Sequence, residues 1–133
     1  MDLEKLQILK QSPIFSALDE AELRELSPLA IERRYVDNET IFWEGDSAEW
    51  FYMVAEGRVK VTKLASTGKE IILSFFGPGD MFGEVAVFEN KPYPASAQAI
   101  SATRLMGIKR ADLLEFLTKH PQVSLRIISV LSG

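Results

Sequence analysis

Four glycines pace the middle of the chain. Gly45, Gly57, Gly68 and Gly79 stand 12, 11 and 11 residues apart. Runs rich in β-branched and aromatic residues fill the intervals: TIFWEG, EWFYMVAEG, RVKVTKL and EIILSFFG. AIERRYV precedes them, and PASAQAI and TRLMGIKR follow. Short strands with turns about every 8–12 residues are the pattern of an all-β sandwich or barrel. Val59, Val61 and Leu64 set against Lys60, Thr62 and Lys63 give a partial alternation, so one face is expected to be wet. Glycine supplies the positive φ that other residues resist, so AEGR and STGK read as hairpin turns. WEGD reads as a further hairpin with Glu44 and Asp46 at its polar corners. An acid/base pair would need a cleft that a turn does not provide. GPGDMFG, residues 77–83, echoes a dinucleotide loop, but its spacing is one residue off and no βαβ unit surrounds it. It reads as a turn between strands.

Helical signals flank this segment. Asp19 and Glu22 have capping-box spacing, with Leu18 and Leu23 placed as a hydrophobic staple. Leu23, Leu26, Leu29 and Ala30 continue at helical spacing, and Pro13 separates this helix from an earlier one at 2–11. After the strands, residues 111–117 read as helix, and Pro121 can open another because its missing N–H costs nothing at a first position. In QVSLRIISVLSG two apolar stripes run side by side: Val123, Ile127 and Val130, then Leu125, Ile128 and Leu131. Two stripes need two partners, the roll and most simply the same helix of a second copy. The expected organisation is one domain, 1–133: N-terminal helices over 1–30, a β-roll over 31–109, and C-terminal helices over 110–133.

Composition excludes several functions. There is no cysteine, hence no disulfide, iron–sulfur ligand or thiol nucleophile, in keeping with a reducing cytoplasmic setting. No run approaches the roughly 18 apolar residues of a membrane span, so no membrane partner is expected. Fifteen basic against nineteen acidic residues give a net charge of −4, the wrong sign for a domain that neutralises nucleic-acid phosphates by itself. A single histidine, His120, cannot build a multi-histidine metal site. It precedes Pro121, where a surface or capping role is expected. Met53, Met81 and Met106 read as core filler. Trp43, Trp50, Phe51 and Tyr52 read as core or rim aromatics that can also line a pocket for a flat apolar ligand. Nothing assembles into a catalytic set, so the chain is not expected to be an enzyme.

The segment GEVAVFENKPYPASAQA, residues 83–99, begins four residues after Gly79. With LKQSPIFSALDEAELRELSPLA, IFWEGD, FYMVAEGRVKV and GKEIILSFFGPGDMFGEVAVF it carries a resemblance over residues 8–133. The ordering of these segments resembles the cyclic-nucleotide-binding domain, specifically the sensor half of CRP/FNR-type bacterial transcription regulators. The resemblance implies a mainly β fold with flanking helices: a double-stranded β-helix, that is a jelly-roll-like β-roll, with a C-terminal dimerisation helix. It implies a small-molecule effector, and a homodimer through the helix from Pro121, with Val123, Ile127, Val130 and Leu131 in the seam. In that family a helix-turn-helix module follows and reads DNA. Nothing follows Gly133 here, so the chain is expected to be the sensing and dimerising half, and to reach DNA only through a module it lacks.

The resemblance also assigns a pocket. Gly83 would admit close backbone approach and Glu84 would accept a ribose hydroxyl. The N–H groups of Val85 and Ala86 would face a phosphate. The family then places an arginine after the turn as a bidentate clamp. Here Tyr93 or Pro94 stands in its place, with Ala95 and Ser96 following. A hydrogen bond to a charged group is worth about 1.5–3 kcal/mol, so losing two should weaken nucleotide binding by roughly two orders of magnitude or more. Lys91 is a nearby substitute, but a flexible ammonium is a poorer clamp than a planar guanidinium. The expected site is therefore a pocket remodelled for another signal, against the rival readings of a weakened nucleotide site and a mere scaffold. Glu84 has a structural reading of its own, because a carboxylate in a helix's first turn is stabilised without any ligand. The cofactor stays unknown. Haem is the named candidate, with His120 as ligand in an NO or CO sensor. The other alternative is a regulatory cyclic-nucleotide module of a kinase or channel.

Overall fold

The computed structural model describes residues 3–132. Asp2, which the sequence places in the first helix, and Gly133 lie outside the described residues. In chain order the elements are helix α1 (Leu3–Gln11), helix α2 (Glu20–Leu26), and strands β1 (Ala30–Tyr35), β2 (Thr40–Phe42), β3 (Trp50–Glu56), β4 (Val59–Leu64), β5 (Glu70–Phe76) and β6 (Met81–Phe82). Helix α3 (Glu84–Glu89), strands β7 (Ser96–Ala99) and β8 (Thr103–Lys109), and helices α4 (Arg110–Lys119) and α5 (Pro121–Ser132) complete the fold.

Helix α2 begins as its sequence requires. The Glu22 N–H donates to Asp19 Oδ1 at 2.8 Å, and the Asp19 N–H donates to Glu22 Oε1 at 2.9 Å. Leu18 and Leu23 are buried beside this reciprocal cap. The helix ends earlier than its apolar spacing predicts. Pro28 lacks the N–H needed to continue an α-helical ladder, so residues 27–29 tighten into a 3-10 turn. Ala30 is therefore the first residue of β1 and not the last of a helical stripe.

The strands form two four-stranded sheets, ordered β1-β8-β3-β6 and β2-β7-β4-β5. Antiparallel pairs join β1 to β8, β2 to β7, β3 to β6 and β4 to β5. The pairing is nested: the chain folds back once, at the β4–β5 turn, and the doubled ribbon then coils into a roll. The STGK turn is that fold-back, with the Ala65 N–H donating to the Lys69 carbonyl at 2.8 Å and Gly68 at φ +83. The other two glycine turns are not hairpins as expected. β2 and β3 lie in different sheets, as do β3 and β4, so WEGD and AEGR are corners where the chain crosses from one sheet to the other. Both corners use a glycine with positive φ, at Gly45 and Gly57. A glycine turn therefore looks the same in sequence whether it closes a ladder or leaves one. At Gly57 an added Cβ would also meet the Ala102 carbonyl at 2.5 Å. The alternation expected along β4 breaks in mid-strand. Thr62 is buried and Leu64 exposed, and the β4–β5 register shifts between Val61 and Thr62, where β5 carries Leu73 as an extra residue. Trp43, at the WEGD corner, is exposed and not a core aromatic.

The core has two parts. Tyr52, Val54, Val59, Phe82, Ala97 and Leu105 fill the roll. Phe15, Leu26, Phe51, Ile108, Leu113 and Phe116 belong to a second cluster that joins roll to helices. Val123 and Ile127 of α5 are part of this second cluster, at 0 % and 4 % exposure. This corrects the expectation that these two lie in a seam between copies, because their side chains are already covered by the chain's own core. Val130 is partly exposed, whereas Leu125, Ile128 and Leu131 stand 70 %, 58 % and 62 % exposed. Helix α5 is fixed in rotation by Arg126, whose guanidinium donates to both Glu22 carboxylate oxygens at 2.7 and 2.6 Å. Gln122 adds a bond at 3.0 Å. The Arg126 bonds, foremost among several, hold the Glu22 carboxyl down at about 2 despite its burial.

Candidate functional site

Nested pairing places two corners side by side. The chain crosses sheets between β2 and β3 at residues 43–49. Its paired strand crosses between β6 and β7 at residues 83–95, through α3. Backbone bonds tie the corners together. The Gly45 N–H donates to the Tyr93 carbonyl and the Tyr93 N–H to the Asp46 carbonyl, both at 2.9 Å. The Glu44 N–H donates to Ser96 Oγ at 2.8 Å. Gly83 opens α3 at φ +83, where an L side chain would be strained. Asn90 closes α3 in the same left-handed region.

Behind this loop lies a cavity of about 230 Å³. Of the eight residues expected at the site, Gly83, Glu84, Val85, Ala86, Tyr93, Pro94 and Ala95 line it. Ser96 does not. It is the first residue of β7, its hydroxyl is engaged by Glu44, and it faces a separate groove shared with Trp43 and Gln98. The remaining walls are Phe42, Val61, Phe76, Met81 and Phe82. These were not anticipated in sequence. They come from β2, β4, β5 and β6, and only the roll brings them together.

Tyr93, one of the two residues that stand where the resemblance puts an arginine, turns inward. Its ring stacks on Phe42 with centroids 3.7 Å apart and planes 7° from parallel. Its hydroxyl donates to the Trp50 carbonyl and accepts from the Trp50 N–H at 3.2 Å. Burial pushes the phenol's pKa up, against the lowering effect of the bond to the Trp50 backbone. The hydroxyl is thus committed to β3 and unavailable to a phosphate. Pro94 is exposed at the rim.

Among the described residues no lysine, arginine or histidine lines the cavity. Each nearby cation is engaged elsewhere. Lys91 pairs with Glu89 at 3.1 Å. Arg58 lies over the Phe75 ring at 4.9 Å. Arg104 is shared by Glu4, Glu32 and Glu56 at 2.8, 2.6 and 3.2 Å. Arg110 donates to the Val87 carbonyl at 3.0 Å.

Glu84 is the cavity's one carboxyl. Its Oε2 is buried with no hydrogen-bond partner. Burial raises its pKa, opposed by a bond from its own backbone N–H. That local bond supports part of the structural reading, but it leaves one oxygen unsatisfied. Glu84 and Val85 also border a second groove of about 410 Å³, which they share with Phe88 and with Leu131 near the end of α5. The loop therefore lies between the cavity and the terminal helix. His120 lies elsewhere, at the end of α4, in contact with Glu25 and 4.8 Å from the Phe116 ring. The hollow beside it is bordered by Glu25, Asp112 and Glu115. No helix among the described residues is long and apolar enough to cross a membrane.

Comparison with known proteins gives the same outline. The family model described as the cyclic nucleotide-binding domain matches residues 32–120. The cyclic AMP receptor protein of Thermus thermophilus is 32 % identical over 125 residues, covering 93 % of this chain and 57 % of that protein. The CRP-like cAMP-activated global transcriptional regulator of Mycobacterium tuberculosis is 29 % identical over 130 residues, covering 95 % and 56 %. The chain thus spans slightly over half the length of these two relatives. Among solved structures, the N-terminal domain of a transcriptional regulator from Streptomyces coelicolor superposes with a TM-score of 0.86 at 30 % identity, covering 94 % of this chain and 89 % of that one.

Proposed function

The chain belongs to the cyclic nucleotide-binding domain family, and from that premise we propose that it is the effector-sensing and dimerising domain of a CRP/FNR-like transcription regulator whose pocket has given up the nucleotide phosphate. The observation that carries the reading is the absence of any cation among the described residues lining the cavity at Gly83. An anion buried there would lose its hydration among aromatic and aliphatic walls and a carboxyl, with no side-chain cation to pair it. The pocket residues are Gly83, Glu84, Val85, Ala86, Tyr93, Pro94 and Ala95.

The signal would travel through α3. A ligand against Glu84 and Ala86 bears on the same short helix that, through Val85 and Phe88, borders a groove shared with Leu131 of α5. A shift of α3 would bias the position of α5, and a second copy docked on Leu125, Ile128 and Leu131 would read that shift. In a full regulator, DNA-binding modules attached beyond α5 would be repositioned by it. Amide-resolved NMR with millimolar cAMP or cGMP tests the pocket assignment. The expected spectra leave Gly83, Glu84, Val85 and Ala86 unmoved; saturable shifts confined to these amides would contradict the reading.

A further inference from the structure

The cavity's chemistry says what it would hold in place of a nucleotide. We infer that it takes a small, flat, uncharged aromatic molecule carrying one hydrogen-bond donor, with the donor meeting the Glu84 carboxyl. The inference rests on the pocket assignment above and names the ligand class for it.

Shape and surface come first. Phe42, Phe76, Phe82 and Tyr93 supply aromatic walls, and Val61, Met81 and Ala95 supply aliphatic ones. Phe82 sits 5.5 Å from Phe76 and 6.0 Å from Phe42, so the rings form a connected surface and not isolated contacts. Such a surface favours a ring packed in offset or tilted geometry. A volume of about 230 Å³ admits a one- or two-ring molecule better than a nucleotide with its sugar and phosphate.

Charge comes second. With no cation in the lining, an anionic ligand would be buried unpaired beside a carboxyl. The polar requirement comes third. Tyr93 cannot serve the ligand, because its hydroxyl both donates to and accepts from Trp50. Glu84 can, because its Oε2 is buried without a partner, and a buried acceptor left unmatched is costly. Burial raises the pKa of this carboxyl, and the bond from its own backbone N–H offsets that only in part. A ligand O–H or N–H would supply one after a small turn of the side chain.

Three probes share one ring system and differ only in the tested features. They are 1-naphthol, naphthalene and 1-naphthyl phosphate. Binding to the intact chain is followed by amide NMR and calorimetry. The expected order is 1-naphthol tightest, naphthalene several-fold to about tenfold weaker, and the phosphate weaker than 1-naphthol by roughly tenfold or more. Shifts should fall on Gly83, Glu84, Val85 and Ala86. In Glu84→Leu the naphthol should sink to the level of naphthalene; if that variant fails to fold, the naphthol-to-naphthalene ratio on the unaltered chain decides the point. Equal binding of naphthol and naphthalene would remove the donor from the inference. Failure of all three probes would overturn it while leaving the loss of the nucleotide phosphate intact. Preferential binding of the phosphate would overturn both.

Discussion

The Tyr93 hydroxyl donates to the carbonyl oxygen of Trp50 and accepts from the amide of the same residue. One phenol thus ties the loop that follows α3 to the first residue of β3. The hydroxyl is spent on joining the two corners of the roll. Tyr93→Phe should destabilise the chain by about 1–2 kcal/mol, the cost of losing these bonds within a buried setting. The aromatic stack on Phe42 would survive, so the cavity should keep its shape. Urea denaturation of the two proteins checks this.

Pro94 lies exposed at the rim, free of any structural bond that its replacement would break. Pro94→Arg should therefore fold, and it would return a planar guanidinium to the mouth of the cavity. Affinity for cAMP is expected to rise at least about tenfold over the unaltered chain, as read by calorimetry. No gain would mean that the cavity's aromatic filling, and not its missing charge, excludes nucleotides.

Glu84 gives a pH signature. Its folded pKa is raised above the ordinary 4.5, so the native state binds this proton more tightly than the unfolded chain does. The associated stability is full below pH 4.5 and is lost as pH rises through the folded value. Glu84→Gln removes the ionised, unmatched oxygen. The variant should be more stable by about 1 kcal/mol at pH 7, with the advantage vanishing below pH 4.5. Thermal melts across that range measure it.

Glu22 behaves oppositely. Its folded pKa of about 2 lies below the ordinary 4.5, so its contribution is present above pH 4.5 and is lost as pH falls toward 2. Glu22→Ala removes half of the α2 cap and the carboxylate that holds Arg126. It should cost roughly 2 kcal/mol at pH 7 and flatten the acid limb of the stability profile. Hydrogen exchange should quicken in α5, which that pair orients.

The two stripes of α5 should respond differently to charge. Ile128→Glu on the exposed stripe should leave the fold intact and, if the proposed second copy docks there, sediment as a monomer where the unaltered chain sediments as a dimer. Ile127→Glu, one residue away but inside the core, should unfold the chain or cost more than about 4 kcal/mol.

These outcomes also mark what the sequence can and cannot disclose. The capping box at Asp19 and Glu22 was legible because its partners are three residues apart. The turns at Gly45, Gly57 and Gly68 were legible because glycine takes a positive φ most readily. What a turn does next was not legible. Gly45 and Gly57 carry the chain between sheets, yet their flanking residues match those of a hairpin. The two faces of α5 are equally apolar, so the sequence could not say that Val123 and Ile127 are the ones claimed by Phe15, Leu113 and Phe116. That neither Tyr93 nor Pro94 is cationic was legible in the sequence. The fate of that tyrosine was not, because its partner Trp50 is 43 residues away. The cavity walls at Phe42, Val61 and Phe76 come from three strands that meet only once the ribbon has rolled.

The central claim is that this pocket no longer holds a nucleotide phosphate. Calorimetric titration of cAMP into the unaltered chain tests it most directly. The account predicts no saturable heat at micromolar ligand. A micromolar or tighter Kd, with one site per chain, would contradict it.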